Sequence, residues 1–468
     1  MTDLVTHARD TRVVVVGGGM AGIVAALECA RLGLRVTLLE AAAHLGGSLD
    51  RVTLGDIEVD AAADGYPSSA KTIARLVDEV GLAGDAVAAR DDALWLAAGP
   101  HGAAPAPAET VFGIPANPWA LDVRRHIETR GAWRAYLDRV RPPLTVGRRR
   151  SLGELVASRM GERVRDRLVA PYALAVHGVA PEFIDVDVAA PGLNPALTRT
   201  GSLGGAVAQT LRAGGGDRLA PRGGLFRLVD ALAARLEDFD VEIRTGTPVT
   251  GLGRDGETWL VEPAASDEAA GEPVAADLLV LAVDEDAARR LLAPHVELPP
   301  SAEPRPEPLD VVMLRVGGVA LPARGSLVIG GGPEPATVRP VSQTWEWLQA
   351  ALPAGESILR VTLPSTDDTD AAVVGAAREA ASALLGVRID VDAVRSAARV
   401  TYRRAAPGSL LGHADAVAAI RERARSVPGL AVVGGWLSGN SLERVAADAA
   451  AEADTARHAV LWRGVDPA

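Results

Sequence analysis

The apolar positions of this chain follow two periodicities. Short apolar runs at 13–16 (VVVV) and 277–283 (DLLVLAV) predict buried strands, and 430–433 (LAVV) predicts another strand. Apolar spacing predicts amphipathic helices over 70–80 and, after a glycine turn, within 222–240; a helix is also expected over 370–386 and a long alanine-rich helix over 442–461. Residues 120–215 read as mostly helical, and Ser151 followed by Glu154 reads as a capping box. Prolines 100, 105, 107, 115 and 118 make 91–119 loop-rich, and 294–308 reads as a proline-rich linker. Short strands are expected at 241–243, 249–252 and 258–262, and three more within 309–364. No segment repeats.

The first forty residues carry the strongest chemical signal. The valine run leads into Gly17-Gly18-Gly19-Met20-Ala21-Gly22, which matches G-x-G-x-x-G. A helical stretch follows, then a second strand at 35–39 that ends on Glu40, 18 residues after Gly22. Gly17 suits a tight turn, Gly19 lets backbone approach a pyrophosphate, and Gly22 lets helix and strand pack closely. The start of the helix at Met20 and Ala21 offers free N–H groups to phosphate. Glu40 stands where a carboxylate accepts hydrogen bonds from ribose. Strand, glycine turn, helix and acid together point to a dinucleotide.

Gly46 and Gly47, followed by Ser48, resemble the second motif of FAD enzymes of the glutathione-reductase-like superclass. The resemblance implies backbone passing beside the ribityl chain and the flavin, and so FAD rather than NAD. Cys29, the single cysteine, falls inside the first helix and reads as a small core residue, so the FAD is expected to be non-covalent. One cysteine also permits neither an internal disulfide nor a thiolate metal cluster, and no metal site is expected.

Composition narrows the classes further. A net charge of −12 argues against a general nucleic-acid binder. The first twelve residues are polar and carry no signal-peptide core, and no long charge-free apolar stretch occurs, so a cytoplasmic location is expected. The predicted fold is α/β. A glutathione-reductase-like FAD-binding Rossmann domain is assembled from discontinuous segments at 1–90, 220–300 and 395–468. A mostly helical substrate or lid region at 91–219 and a β-rich part of an α+β substrate domain at 301–394 complete it.

Further segments resemble the flavin amine oxidase superfamily and, within it, the protoporphyrinogen/coproporphyrinogen oxidases. They are 54–60 (LGDIEVD), similar to a strand entering the substrate region, and 65–82 (GYPSSAKTIARLVDEVGL). They also include the Gly113-Ile114-Pro115 turn, the 175–179 turn (AVHGV), Gly223-Gly224-Leu225, 407–417 (PGSLLGHADAV) and 428–435 (PGLAVVGG). Two departures stand out: Ser48 replaces a usual basic residue, and Gly439-Asn440-Ser441-Leu442 replaces a Gly-x-Gly-Ile-Pro loop.

The resemblance implies oxidation of a porphyrinogen to a porphyrin at FAD, with O2 as acceptor, in haem biosynthesis. It adds Ser48, Val249, Gly435, Ser441 and Leu442 to the cofactor contacts at Gly17, Gly19, Met20, Ala21, Gly22, Glu40, Gly46 and Gly47. Arginine matches the propionates of such a substrate by its bidentate geometry. Arg124 with Arg125, and Arg148 to Arg150 centred on Arg149, are therefore candidates, although solvated helix ends fit them too. Lys71 is the one lysine beside 47 arginines (48 basic residues in all) and is also a candidate. His177 and His413 are candidate polar contacts, each equally readable as a structural histidine. No general base is identified. The resemblance favours coproporphyrinogen III, oxidised to coproporphyrin III, as the substrate, with protoporphyrinogen IX as the alternative. An amine oxidase or desaturase on the same fold, a non-catalytic FAD-binding homologue, and peripheral contact with a membrane or a pathway enzyme also remain open.

Overall fold

The four-valine run becomes the central strand of a five-stranded parallel sheet ordered Glu242–Arg244, Arg35–Leu39, Arg12–Val16, Leu278–Leu281, Leu430–Val432. The computed structural model describes residues 7–90, 93–97, 102–140, 150–211, 217–264, 272–322, 327–332 and 335–462. The helix Met20–Ala30 lies on this sheet and is buried at every position except Glu28, which explains why it is apolar all round. The helix Leu442–Leu461 packs along it through Ala446, Ala449 and Ala453, all fully buried. Small side chains at three- and four-residue spacing bring the two helices close. Strands from three distant parts of the chain thus complete one sheet.

A seven-stranded sheet is ordered Val394–Tyr402, Leu309–Gly317, Glu356–Pro364, Thr337–Pro340, Leu327–Gly330, Leu94–Ala97, Ala104–Pro105. The helix Asp370–Leu385 covers one face, where Val373, Ala377 and Ala381 meet Val312, Leu314, Val338, Leu359 and Val361. The opposite face is shared. Val311, Met313 and Tyr402 pack with Leu54, Ile57 and Val59 of the cofactor side, while Leu96 and Ile329 pack into the helical unit.

Three differences from the sequence expectation follow from pairing partners. The division at residue 394 falls at the start of a strand that pairs with Leu309–Gly317, so 394–402 belongs to the β-rich sheet. Leu94–Ala97 and Ala104–Pro105, set in a segment read as loop, join the same sheet. Residues 51–60 form a hairpin rather than one strand, because Gly55 turns the chain at φ +70°.

The helices Leu121–Tyr136, Leu152–Arg159, Leu193–Thr200 and Leu203–Thr210 build the helical unit around one apolar cluster. Ser151 caps the second of them by accepting from Glu154 N at 3.2 Å. Pro171 lacks an N–H, and around it the helical path loosens into two wide turns, Arg165–Val169 and Ala173–His177.

Candidate functional site

The two glycine motifs meet. Gly19 bridges to Gly46, and Gly46 N donates to Gly18 O at 2.9 Å. Gly17 sits at φ +106°, and a Cβ there would lie 2.5 Å from Ala282 O. A Cβ on Gly22 would lie 1.8 Å from Gly17 O. Gly19 is different, because a Cβ on it would meet only Gly47 Cα, at 3.9 Å. Two of the glycines are thus required by the fold, while the third keeps a groove clear. The helix opening at Met20 has no side-chain cap and no acid in its first turn, so its first N–H groups are not capped by a side chain. The groove therefore fits the pyrophosphate of FAD.

Glu40 lies at its edge. Its carboxylate accepts from Gly18 N at 2.5 Å and from Ala42 N at 2.7 Å, which fixes it at the end of its strand. Glu40→Ala is expected to weaken FAD binding by about 1.5–3 kcal/mol, the range for hydrogen bonds to a charged group. Titration of the apoprotein with FAD, followed by flavin fluorescence, measures this, and an unchanged dissociation constant removes Glu40 from the ribose. Cys29 is fully buried and its thiol is pushed up to about 12 by burial, so it offers no thiolate for attachment.

The remaining expected cofactor residues fall at the following places in the fold. Ser48 is exposed. Val249 begins a strand beside Gly246 and Thr247, whose N–H groups bond to Ala42 O and Glu40 O. Gly435 opens the short helix Gly435–Ser438. The helix at Leu442 has Ser441 as its N-cap with no side-chain bond. Its Glu443 reaches across to accept from Thr72 N at 2.9 Å and Ile73 N at 3.0 Å. This capping joins the last loop to the helix Lys71–Glu79 and sets the exposed Lys71 at its edge. Asn440 donates to Val176 O at 3.3 Å, so this departure ties the last loop to the helical unit.

The basic and histidine candidates separate. His413 is buried and bonds through Nε2 to Leu437 O at 3.0 Å, which is the structural role. Arg150 is held by Asp185, with Nη2 at 2.6 Å. Arg148 and Arg149 lie outside the described residues. Arg125 is exposed and Arg124 half-buried on the helix Leu121–Tyr136. His177 stacks on Phe112 with ring centres 4.9 Å apart, and its Nδ1 is buried without a partner among the described residues. Burial, reinforced by Arg404, lowers its pKa to about 4, so this imidazole is neutral near pH 7. Arg404 donates to Leu174 O at 3.1 Å and Ala175 O at 3.3 Å, holding carbonyls that the wide turn Ala173–His177 exposes.

The sequence reading missed a buried charged cluster between the cofactor side and the seven-stranded sheet. Asp60 accepts from Leu225 N and Phe226 N, each at 2.8 Å, capping the helix that follows the Gly223-Gly224 turn. Burial pushes its carboxyl up to about 7 against those two bonds. Asp64 pairs with Arg218 and with Arg360 at 3.2 Å, and accepts from Trp345 Nε1 at 3.3 Å. Burial alone would raise the Asp64 carboxyl, but Arg360, Arg218 and Arg339 hold it well below the usual carboxylate range. The available signal was a single arginine inside an apolar strand, in LRVTL at 359–363 and TVRP at 337–340. Alternation shows its face but not its partner.

Comparison with known proteins gives this geometry its context. The family of flavin containing amine oxidoreductases matches residues 20–453. A coproporphyrinogen III oxidase from Mycobacterium tuberculosis is 29% identical over 331 residues, covering 69% of this chain and 70% of that protein. One from Propionibacterium freudenreichii subsp. freudenreichii is 25% identical over 327 residues, covering 62% of this chain and 60% of its own length, which is under two thirds. A solved structure from Exiguobacterium sp. 255-15, provisionally assigned as a protoporphyrinogen oxidase, superposes with a TM-score of 0.81 at 21% identity. That match covers 97% of this chain and 99% of the other. The glycine groove and the family match over most of the chain agree, and the protein belongs to the flavin containing amine oxidoreductases, as an FAD-dependent oxidoreductase.

Proposed function

We propose that this protein oxidises coproporphyrinogen III to coproporphyrin III with O2 as acceptor, in the cytoplasm, as a step of haem biosynthesis. The observation that carries the reading is its similarity, over 69% of the chain, to a protein named coproporphyrinogen III oxidase. The geometry supports it through the arginine-bearing sheet face beside the cofactor loops, which suits a polycarboxylate. The macrocycle loses six electrons and six protons in three two-electron steps, and three O2 become three H2O2. Bound FAD supplies the two-electron acceptor.

The protein's own part is positioning. Glu40 and the N–H groups at Met20 hold the dinucleotide end. The bond from Asn440 to Val176 and the capping by Glu443 close the last loop against its neighbours. His177, half-buried and neutral near pH 7, cannot serve as a cationic anchor. Trp436 is 7% exposed and belongs to the core of the parallel sheet. Among the described residues no helix is long and apolar enough to cross a membrane. Peripheral contact with a membrane or a pathway enzyme belongs to the same proposal, and the exposed Leu121, Trp133 and Val140 of the helical unit are suited to it.

Oxygen uptake and porphyrin fluorescence with both porphyrinogens test the reading. The expected result is faster oxidation of coproporphyrinogen III than of protoporphyrinogen IX, with three H2O2 formed per porphyrin. Equal rates would defeat the substrate choice, and no porphyrin from either would defeat the function.

A further inference from the structure

We infer that Arg360 and Tyr402, on one face of the seven-stranded sheet, form a binding subsite for one carboxylate of the substrate. The inference rests on the proposed porphyrinogen reading and deepens it. Strand register supplies the first argument. Val338 pairs with Val361 and Arg339 with Arg360. The valines face the covering helix Asp370–Leu385, so the two arginines project from the other face. On that face Val311, Met313 and Tyr402 pack toward the cofactor side, and Ile329 packs toward the helical unit. The arginine pair therefore stands where the three parts of the molecule meet.

Position relative to the cofactor supplies the second. The Asp64 that engages Arg360 follows the hairpin strand Ile57–Asp60, and Ala61 N donates to Asp50 O at 2.9 Å, three residues beyond Gly47. Tyr402 packs in one cluster with Val52, Leu54 and Val59 of that hairpin. The hairpin that carries the cluster is thus tied to the segment that follows the second glycine motif.

Hydrogen-bond accounting supplies the third. The Arg360 side chain is 11% exposed, and its Nη2 faces Asp64 at 3.2 Å. Its Nε and the Tyr402 hydroxyl are both buried, and neither has a partner among the described residues. Unmet buried donors are uncommon in folded proteins and call for an acceptor. A guanidinium edge and a phenol are each donors suited to a carboxylate, and both stand on the same face of the sheet. Asp64 acts on Arg360 as a positioning residue, since it fixes the guanidinium without reaching substrate itself.

Steady-state kinetics of the FAD-loaded enzyme, with flavin content and thermal midpoint measured on each variant, test this. Tyr402→Phe keeps shape and removes one donor, while Arg360→Lys keeps charge and removes the fork. Each is expected to raise KM for coproporphyrinogen III roughly tenfold, with kcat within about twofold and flavin content unchanged. Unchanged KM in an active, folded Tyr402→Phe overturns the subsite, as does loss of FAD in that variant. Arg360→Lys leaves Asp64 a shifted partner, so if it does not fold, Tyr402→Phe alone decides. A wild-type enzyme inactive on both porphyrinogens overturns the porphyrinogen reading and the subsite with it. Activity in the wild type with unaltered variants overturns the subsite alone.

Discussion

Gly19→Val should give a folded protein that cannot retain FAD, and Gly22→Val should give no folded protein. The two positions lie three residues apart in one motif, yet they meet different surroundings. At Gly22 a Cβ would be 1.8 Å from Gly17 O and 3.2 Å from Ala282 Cβ, so any side chain forces the helix away from the central sheet. That helix is buried at all positions but one, and displacing it opens the main core. At Gly19 the backbone is extended at φ −73°, which valine adopts readily, and the nearest protein atom to a Cβ is 3.9 Å away. The valine side chain enters only the space assigned to pyrophosphate. Far-ultraviolet circular dichroism with a thermal melt reads folding, and visible absorbance after gel filtration reads flavin. Yellow, folded Gly19→Val protein would sink the pyrophosphate assignment.

Asp138→Ala should loosen the helical unit before the rest of the molecule unfolds. Asp138 is 1% exposed and pairs with Arg159, itself 6% exposed. Its carboxylate also accepts from Leu203 N and from Gly204 N at 3.3 Å, where the helix Leu203–Thr210 begins. One side chain therefore satisfies a buried cation and a helix start 65 residues away. Removing it leaves Arg159 buried without its counter-ion, a change worth about 3–5 kcal/mol. Urea unfolding should show the loss, and limited proteolysis should cut first within the helical unit. Asp138→Asn keeps an acceptor for the N–H groups and should fall between wild type and alanine. An unchanged unfolding midpoint in the alanine variant would refute the latch.

The cofactor half of the site was legible because its requirements are local. Val13 to Val16, the glycines at 17, 19 and 22, and Glu40 lie within 29 consecutive residues (12–40), and each is set by a short-range demand of turn, approach or acceptor. The structure adds that Gly46 returns to bridge Gly19, which spacing alone does not dictate. The capping at Ser151 and the existence of the last helix were equally local, the first a matter of three residues and the second of helical composition.

The substrate side was decided by tertiary structure. Lys71 stood out by rarity, and rarity carries no information about distance. It stands exposed at a helix start whose N–H groups Glu443 already engages. Arg150 stood out by clustering, and Asp185 holds it. Arg360, by contrast, is one arginine among 48 basic residues. Its chemistry comes from Asp64, 296 positions earlier, and from Tyr402 on a non-adjacent strand of the same sheet. By itself the sequence determined the dinucleotide groove, the main helices and the interleaving of segments, because period and turn chemistry act over a few residues. The tertiary structure decided which arginines are buried, which acids hold them and which donors are left to meet a ligand, because burial and pairing arise only when distant strands share a face.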